Sequence, residues 1–225
     1  MLDFGYYNMD CMEGMKQFPD KYFDLAIVDP PYGISIGANS TTIGGRGGAQ
    51  PKQYKMFDDS TIPSADYFKE LKRVSQNQII WGGNYFLEHL GATKCLIVWD
   101  KGRRGLKFAD CEIAWTSLDE PCRLFEYLWD GMRQGNMKQK EYRIHPTQKP
   151  VALYKWLLTS YAKEGDKILD THVGSASSLI ACEDMGYDYV GFEIDAEYYA
   201  KGMERIKTHR AQLSIMELMN DWRLP

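Results

Sequence analysis

Four residues early in the chain, Asp29-Pro30-Pro31-Tyr32, combine a carboxylate, two residues without amide donors and an aromatic ring. They follow directly on the apolar run Leu25–Val28. Consecutive prolines fix φ and remove competing N–H groups, so the turn is stiff and rich in acceptors. Such a turn can accept both hydrogens of an exocyclic amine, and Tyr32 offers a ring face to a flat base. A rigid strand-to-loop turn without chemistry is the plainer reading. Its position argues for more, because ligands of open α/β sheets sit beyond the carboxyl ends of strands.

A second group lies late in the chain. In Lys167–Ser178, KILDTHVGSASS, an apolar run ends in Asp170 and a Gly/Ser turn opens a helix near Ala176. That arrangement exposes backbone amides beside a cofactor crevice. Only Gly174 of a G-x-G-x-x-G fingerprint is present, and an ordinary strand-to-helix turn explains the string equally well. Further on, Gly191-Phe192-Glu193-Ile194-Asp195 reads as a strand ending in acids, which suits the two hydroxyls of a ribose. Asp195 is better read as the cap of the next helix. Between the two groups, His145-Pro146-Thr147-Gln148-Lys149-Pro150 leads into a helix with Pro150 in its first turn. Capping explains Thr147 and Pro150 but not the whole string.

These residues need elements to hold them. Short apolar runs alternate with amphipathic stretches, the pattern of an α/β fold with a mainly parallel sheet. Strands are expected at Asp24–Val28, Gln78–Trp81, Cys95–Trp99, Glu112–Thr116, Lys167–Asp170 and Tyr187–Ile194. Helices are expected at Cys11–Phe18, Ser64–Val74, Val151–Tyr161, Ser177–Met185 and Ala196–Thr208, with Gln212–Met219 continuing or following the last. Two stretches break the alternation. Gly37–Met56 has five glycines and no apolar period, and Lys101–Ile144 has strand-like pieces at Cys111–Ser117 and Arg123–Trp129. The length suits one domain over residues 1–225, with 37–56 a flexible loop and 101–144 an insertion. No apolar stretch approaches the ~20 residues that span a bilayer, and no signal peptide opens the chain. Five cysteines without a C-x-x-C pair read as reduced thiols of a cytoplasmic protein, and four scattered histidines point to no metal site.

Taken in order, DPPY, HPTQKP, the LD-x-x-x-G-S turn and the G-x-E-I-D strand resemble the amino-methyltransferases of DNA, which act on adenine N6 or cytosine N4. The early place of DPPY resembles their permuted β group, of phage or bacterial type. The likeness runs from about Tyr7 to Ile206. It implies a Rossmann-like, S-adenosylmethionine-dependent methyltransferase fold with a circularly permuted motif order. Read cyclically, Lys167–Asp170, Tyr187–Ile194, Tyr6–Met9 and Asp24–Val28 become successive strands, and the chain opens between the second and third.

Residue by residue, the resemblance implies that Asp29 and the Pro30 carbonyl hold the target amine on the turn that Pro31 stiffens. Tyr32 would stack on the flipped base. Glu193 would grip the cofactor ribose, while Asp170 and Gly174 shape the pocket around its methionine part, with Asp29, His172 and Ser175 beside them. Thr147, Gln148 and Lys149 would close over that part from the other side. Asp10 would face the cofactor adenine or cap the following helix, two readings of equal weight. His172 and Ala176 stand where relatives often carry Phe and a second Gly, and His172 is given no catalytic role.

The implied activity is methyl transfer from S-adenosylmethionine to the exocyclic N6 of a flipped adenine in double-stranded DNA. N4-cytosine is the alternative, because both amines present the same two hydrogens; a non-catalytic DNA-binding relative is another. Target recognition would fall on the two irregular stretches, through Arg46 and Lys52 in the first and Arg103, Arg104, Lys138 and Arg143 in the second. A solvated, unengaged surface is the bland reading of both. A second copy could complete DNA binding as a homodimer. The net charge of −4 speaks against a nucleic-acid partner. Residues 101–149, however, hold ten Lys+Arg against seven Asp+Glu, and ten minus seven leaves +3. The expectation is a locally basic interface on an acidic body.

Overall fold

The computed structural model describes residues 1–35, 42–43, 52–53, 55, 59–102, 104–105, 109–130 and 133–221, and for 42–43, 52–53 and 215–221 the backbone alone. In chain order the first elements are β1 (Gly5–Asn8), α1 (Cys11–Met15), β2 (Phe23–Val28), β3 (Thr42–Ile43), β4 (Lys52–Gln53), α2 (Ala65–Val74), β5 (Ser75–Trp81) and α3 (Leu87–Leu90). Next come β6 (Leu96–Asp100), β7 (Cys111–Thr116), β8 (Arg123–Glu126), β9 (Trp129–Asp130), β10 (Arg133–Gln134) and α4 (Val151–Tyr161). The chain closes with β11 (Lys167–Asp170), α5 (Ser177–Met185), β12 (Asp188–Glu193) and α6 (Ala196–Asp221).

Eight strands form one sheet in the order β1-β12-β11-β2-β5-β7-β6-β8. From β1 to β5 every neighbouring pair is parallel, and β7 runs antiparallel between β5 and β6. The strand succession reverses at β11 and β2: β12 and β1 lie to one side, β5 to the other. This is the switch point at which open α/β sheets bind ligands. It brings the loop after Asp170 beside the loop after Val28, although the two lie at opposite ends of the sequence.

Side chains alternate across each strand, so one strand feeds both layers. Leu25 and Ile27 of β2 pack with Leu153, Leu157 and Ala181 of α4 and α5. Ala26 and Val28 point the other way, into a cluster with Met15, Phe68, Leu71 and Val74 of α1 and α2. Burial on both faces explains why β2 and β11 read as continuous apolar runs. A third cluster, with Tyr6, Val173, Leu179 and Ile206, seats α6 over β1 and α5.

The structure adds elements to two stretches and decides between two readings of a third. The Gly37–Met56 stretch, read without elements, carries the two-residue strands β3 and β4 paired antiparallel. The 101–144 stretch is partly built into the main sheet, since β7 lies between β5 and β6 and β8 is the sheet edge. Alternating short strands do not reveal their partners, because antiparallel register is a tertiary property. Finally, Gln212–Met219 continues α6 as one helix.

Candidate active site

The Asp29–Tyr32 turn leaves the carboxyl end of β2 and is held from three directions. Asp59 Oδ1 accepts the Tyr32 amide at 2.7 Å and the Gly33 amide at 3.1 Å, which pins the turn from below. The Tyr32 hydroxyl donates to Asp29 Oδ1 at 2.5 Å. Lys149 Nζ lies 2.5 Å from Asp29 Oδ2, 3.0 Å from Glu112 Oε2 and donates to the Tyr32 hydroxyl at 3.1 Å. Lys101 Nζ then pairs with the other Glu112 oxygen at 2.5 Å. Lysine and carboxylate alternate along Lys101, Glu112, Lys149 and Asp29.

Burial governs the titration of this cluster. It pushes the Asp29 carboxyl up, against the pull of Lys149. Burial also acts to raise Glu112, but Lys149 and Lys101 outweigh it and hold that carboxyl at about 2. For Lys149 burial works toward the neutral amine, yet Asp29 and Glu112 keep its pKa above the usual range. Glu112 is therefore a firm anion and Lys149 a firm cation.

Tyr32 stacks on Tyr85, with centroids 5.2 Å apart and planes 19° from parallel. Tyr85 ends a short helical turn, Gly83–Tyr85, after β5 and is 42% exposed. Room for this pairing comes from Gly82, at φ +70°, where a Cβ would meet the Tyr32 ring at 2.2 Å.

At the neighbouring strand end, Asp170 Oδ1 accepts the His172 amide at 2.9 Å and Oδ2 accepts the Ser178 hydroxyl. Burial lifts its carboxyl to about 7, against those two hydrogen bonds. Gly174, at φ +54°, donates its amide to Glu193 Oε2 at 2.8 Å, and Glu193 Oε1 accepts the Asp195 amide at 2.9 Å. Glu193 thus ties the Gly174 turn to the end of β12. Ser175 Oγ lies 3.1 Å from Ser177 Oγ, buried under the turn. Ala176, in the place of a second glycine, takes a left-handed conformation at φ +61°. That conformation costs an L-residue about 1–2 kcal/mol.

Asp10 acts as a helix cap: its Oδ1 accepts the Met12 and Glu13 amides at 2.8 and 3.2 Å. Asp195 does the same for Glu197 and Tyr198 at 2.9 and 3.1 Å. Asp10, Glu193 and Asp170 follow or end three adjacent parallel strands, β1, β12 and β11.

His172 lies beneath the turn, its Nδ1 2.9 Å from Thr171 Oγ1, which is 2.7 Å from the Tyr67 hydroxyl. Burial lowers its pKa to about 4. A depressed folded pKa means that the folded state binds fewer protons than the unfolded chain between that value and ~6.5, so this stability is present above pH ~6.5 and fades as pH falls toward 4. His172→Gln is expected to remove about 2 kcal/mol of that acid loss between pH 6.5 and 4.5. The melting temperature of the variant should then fall about 5 °C less than wild type over this interval. Equal slopes would show that burial does not keep His172 neutral.

The 145–150 segment crosses the site from the far side. Lys149 reaches Asp29, whereas Thr147 and Gln148 brace the segment itself. Thr147 Oγ1 lies 3.0 Å from His145 Nδ1, Gln148 Oε1 accepts the Ile144 amide at 2.9 Å, and the Gln148 carbonyl accepts Trp129 Nε1 at 2.8 Å. Arg205 of α6 completes the clasp. It donates to the Ser175 carbonyl at 2.6 Å and pairs with Glu141 at 2.6 Å, joining the Gly174 turn to the segment that precedes α4.

Arg46 and Arg103, expected at DNA, lie outside the described residues, as does the side chain of Lys52. Lys138 is exposed, Arg104 is bonded to Asp100, and the Arg143 guanidinium lies 4.7 Å over the Trp129 ring. Sequence reasoning missed Glu112, Asp59, Tyr85, Glu141 and Arg205. Only the Glu112 strand carried a signal, as an apolar-polar alternation around one acid.

Residues 98–204 match the N6_N4_Mtase family model, described as DNA methylase. Over that stretch, a little under half of its length, the chain is similar to the DNA methylase family. The Asp29 turn lies outside the matched span. YubD of Escherichia coli (strain K12), a protein named for methylase activity, is 25% identical over 240 residues, covering 96% of each chain. The type II methyltransferase M.HpaI of Haemophilus parainfluenzae is 37% identical over 67 residues, which are 30% of this chain and 21% of that protein. Among solved structures, M1.HpyAVI in its SAM complex superposes with a TM-score of 0.56 at 18% identity, covering 89% of this chain and 98% of that one. The cytosine-N4-specific PvuII DNA methyltransferase does so with a TM-score of 0.57 at 14% identity, covering 93% and 92%. These likenesses establish the α/β methyltransferase fold.

Proposed function

We propose that the chain methylates the exocyclic N6 of adenine in double-stranded DNA, using S-adenosylmethionine. The observation that carries the reading is the meeting of the Asp29 turn and the Asp170 turn at the switch point of the sheet. One turn offers acceptors for an amine and the other offers carboxylates for a cationic nucleoside. The donor set fits the cofactor: Asp10, Glu193 and Asp170 are acceptors, and the cofactor brings ribose hydroxyls, an adenine amine and an ammonium group. When bound, S-adenosylmethionine supplies an electrophilic methyl group.

The chain's own residues then orient and exclude. Asp29 and the Pro30 carbonyl accept the two amine hydrogens, which draws the nitrogen toward a tetrahedral form with its lone pair free. The turn is too stiff and recessed to reach into a stacked duplex, so the base is extruded and meets the Tyr32 ring. Tyr85 covers that ring in the free chain and gives way or adds a second wall. Exposed Lys138 and its neighbour Lys140 face phosphates, and a salt dependence of a few contacts follows.

The tetrapeptide DPPY favours adenine. The likeness to the cytosine-N4-specific PvuII enzyme supports N4-cytosine as a second reading. Single-molecule sequencing of modified bases in DNA from cells expressing the chain separates them: N6-methyladenine at one defined motif is the expected result. N4-methylcytosine would transfer the proposal to the second reading, and unmodified DNA would end both.

A further inference from the structure

Asp29 has a demand on it that the turn alone does not meet. On the reading above it must accept from an incoming amine, yet Oδ1 takes the Tyr32 hydroxyl and Oδ2 faces Lys149, each at 2.5 Å. An ammonium given wholly to Asp29 would compete with the amine and weaken the carboxylate as an acceptor. Lys149 is 3% exposed, so water does not dilute its charge. What divides that charge is Glu112, whose Oε2 is 3.0 Å from the same Nζ.

Glu112 can do this because of the sheet's one reversal. β7 runs antiparallel to β5, with Ala114 opposite Trp81. The start of β7 therefore lies at the carboxyl ends of the parallel strands, beside the Asp29 turn. Lys101 holds the other Glu112 oxygen at 2.5 Å and keeps the side chain in place. Two lysines and two carboxylates cancel, so the cluster carries no net charge.

We propose that Glu112 is a positioning residue for methyl transfer: by sharing the Lys149 ammonium it leaves Asp29 with the acceptor capacity that the target amine needs. The proposal rests on the methyltransferase reading of Asp29. The groups around Asp29 are Tyr32 on its own turn, Lys149 on the crossing segment, Glu112 on β7, Tyr67 on α2, Tyr154 on α4 and Asp170 on β11, with Lys101 after β6 behind Glu112. Removing the Glu112 charge makes Asp29 easier to ionise and Lys149 easier to deprotonate.

The test is Glu112→Gln, assayed by methyl incorporation into DNA carrying the modified motif, across pH. The expected result is a kcat lower by 10- to 100-fold, an S-adenosylmethionine Kd within twofold of wild type, and both limbs of the kcat–pH profile displaced to lower pH. A structural role would lower the amplitude and leave the limbs where they were; that outcome, or an unchanged kcat, overturns the proposal. Should Glu112→Gln fail to fold, the double variant Lys101→Gln/Glu112→Gln strands no buried charge and must show the same displacement. Unmoved limbs in the double variant overturn the proposal as well. A wild-type chain that methylates no DNA overturns the reading of Asp29 and this proposal with it, whereas an active wild type with an indifferent Glu112→Gln overturns this proposal alone.

Discussion

Asp29→Ala is expected to lower methyl transfer by about 10³-fold, the scale on which removal of a single transition-state hydrogen-bonding group acts, while S-adenosylmethionine binding stays within a few-fold. The carboxylate's place follows from the site: it ends the central strand β2, its turn is pinned by Asp59, and its two oxygens are aimed by Tyr32 and Lys149. The carboxylates proposed to hold the cofactor, Asp170 and Glu193, are fixed by other partners, Ser178, the His172 amide, Gly174 and the Asp195 amide. Truncating Asp29 leaves those contacts untouched, so binding and chemistry separate. Lys149 keeps Glu112 as an anion in the variant, which protects the fold from a stranded lysine. Radiolabelled methyl incorporation measures the first quantity and calorimetry with S-adenosylmethionine the second. Full activity in Asp29→Ala would remove Asp29 from the reaction, and loss of cofactor binding in parallel would make it a structural residue.

Much of this site was legible in the chain before any coordinates. β2 and β11 are buried on both faces, so they read as unbroken apolar runs, and each ends at its acid. The helix boundaries followed the same logic: Asp10 and Asp195 are caps, and caps have a local signature. Glu112 had none. Its role depends on β7 pairing antiparallel with β5, a choice made by contacts remote in sequence. The stretch around it read instead as an insertion because its strands are short and its connections basic. Asp59 and the Glu141–Arg205 pair were hidden for the same reason, since they join segments 27 and 64 residues apart. Lys149 was assigned from its motif to the cofactor's methionine part, and the packing of α4 delivers its ammonium to Asp29.

The packing also redistributes the basic interval. Ten Lys+Arg against seven Asp+Glu over residues 101–149 pointed to a basic interface. Lys149 and Lys101 are committed to Asp29 and Glu112, Arg104 to Asp100 and Arg133 to Asp130. The charge that Lys149 and Lys101 spend on enclosed carboxylates cannot neutralise phosphates, whereas Arg104 and Arg133 remain exposed. Among the described residues Arg123, Lys138 and Lys140 are the other exposed cations of this interval, so the interface proposed for DNA is smaller than the count implies. Counting charges along a sequence overstates an interface wherever a buried acid lies within the same interval.

Lys149→Met is the substitution expected to cost the fold most. A buried lysine between two carboxylates cannot be removed without consequence: Asp29 and Glu112 would face each other across the space it leaves. Breaking a buried ion pair from one side costs about 3–5 kcal/mol, because the remaining charge is uncompensated. Glu112 keeps Lys101 at 2.5 Å, so the burden falls on Asp29, whose carboxyl burial already pushes up. A raised folded pKa on an acid means that the folded variant takes up a proton which the unfolded chain does not. Stability of Lys149→Met should therefore rise relative to wild type as pH falls through that raised value, and the gap between them should narrow on acidification. Thermal unfolding of both proteins at pH 8 and pH 5.5 reads this directly: a deficit of about 10 °C at pH 8 is expected, shrinking at pH 5.5. A deficit independent of pH would assign the loss to packing of the lysine stem alone, and no deficit at pH 8 would mean that Lys149 carries no charge the fold depends on.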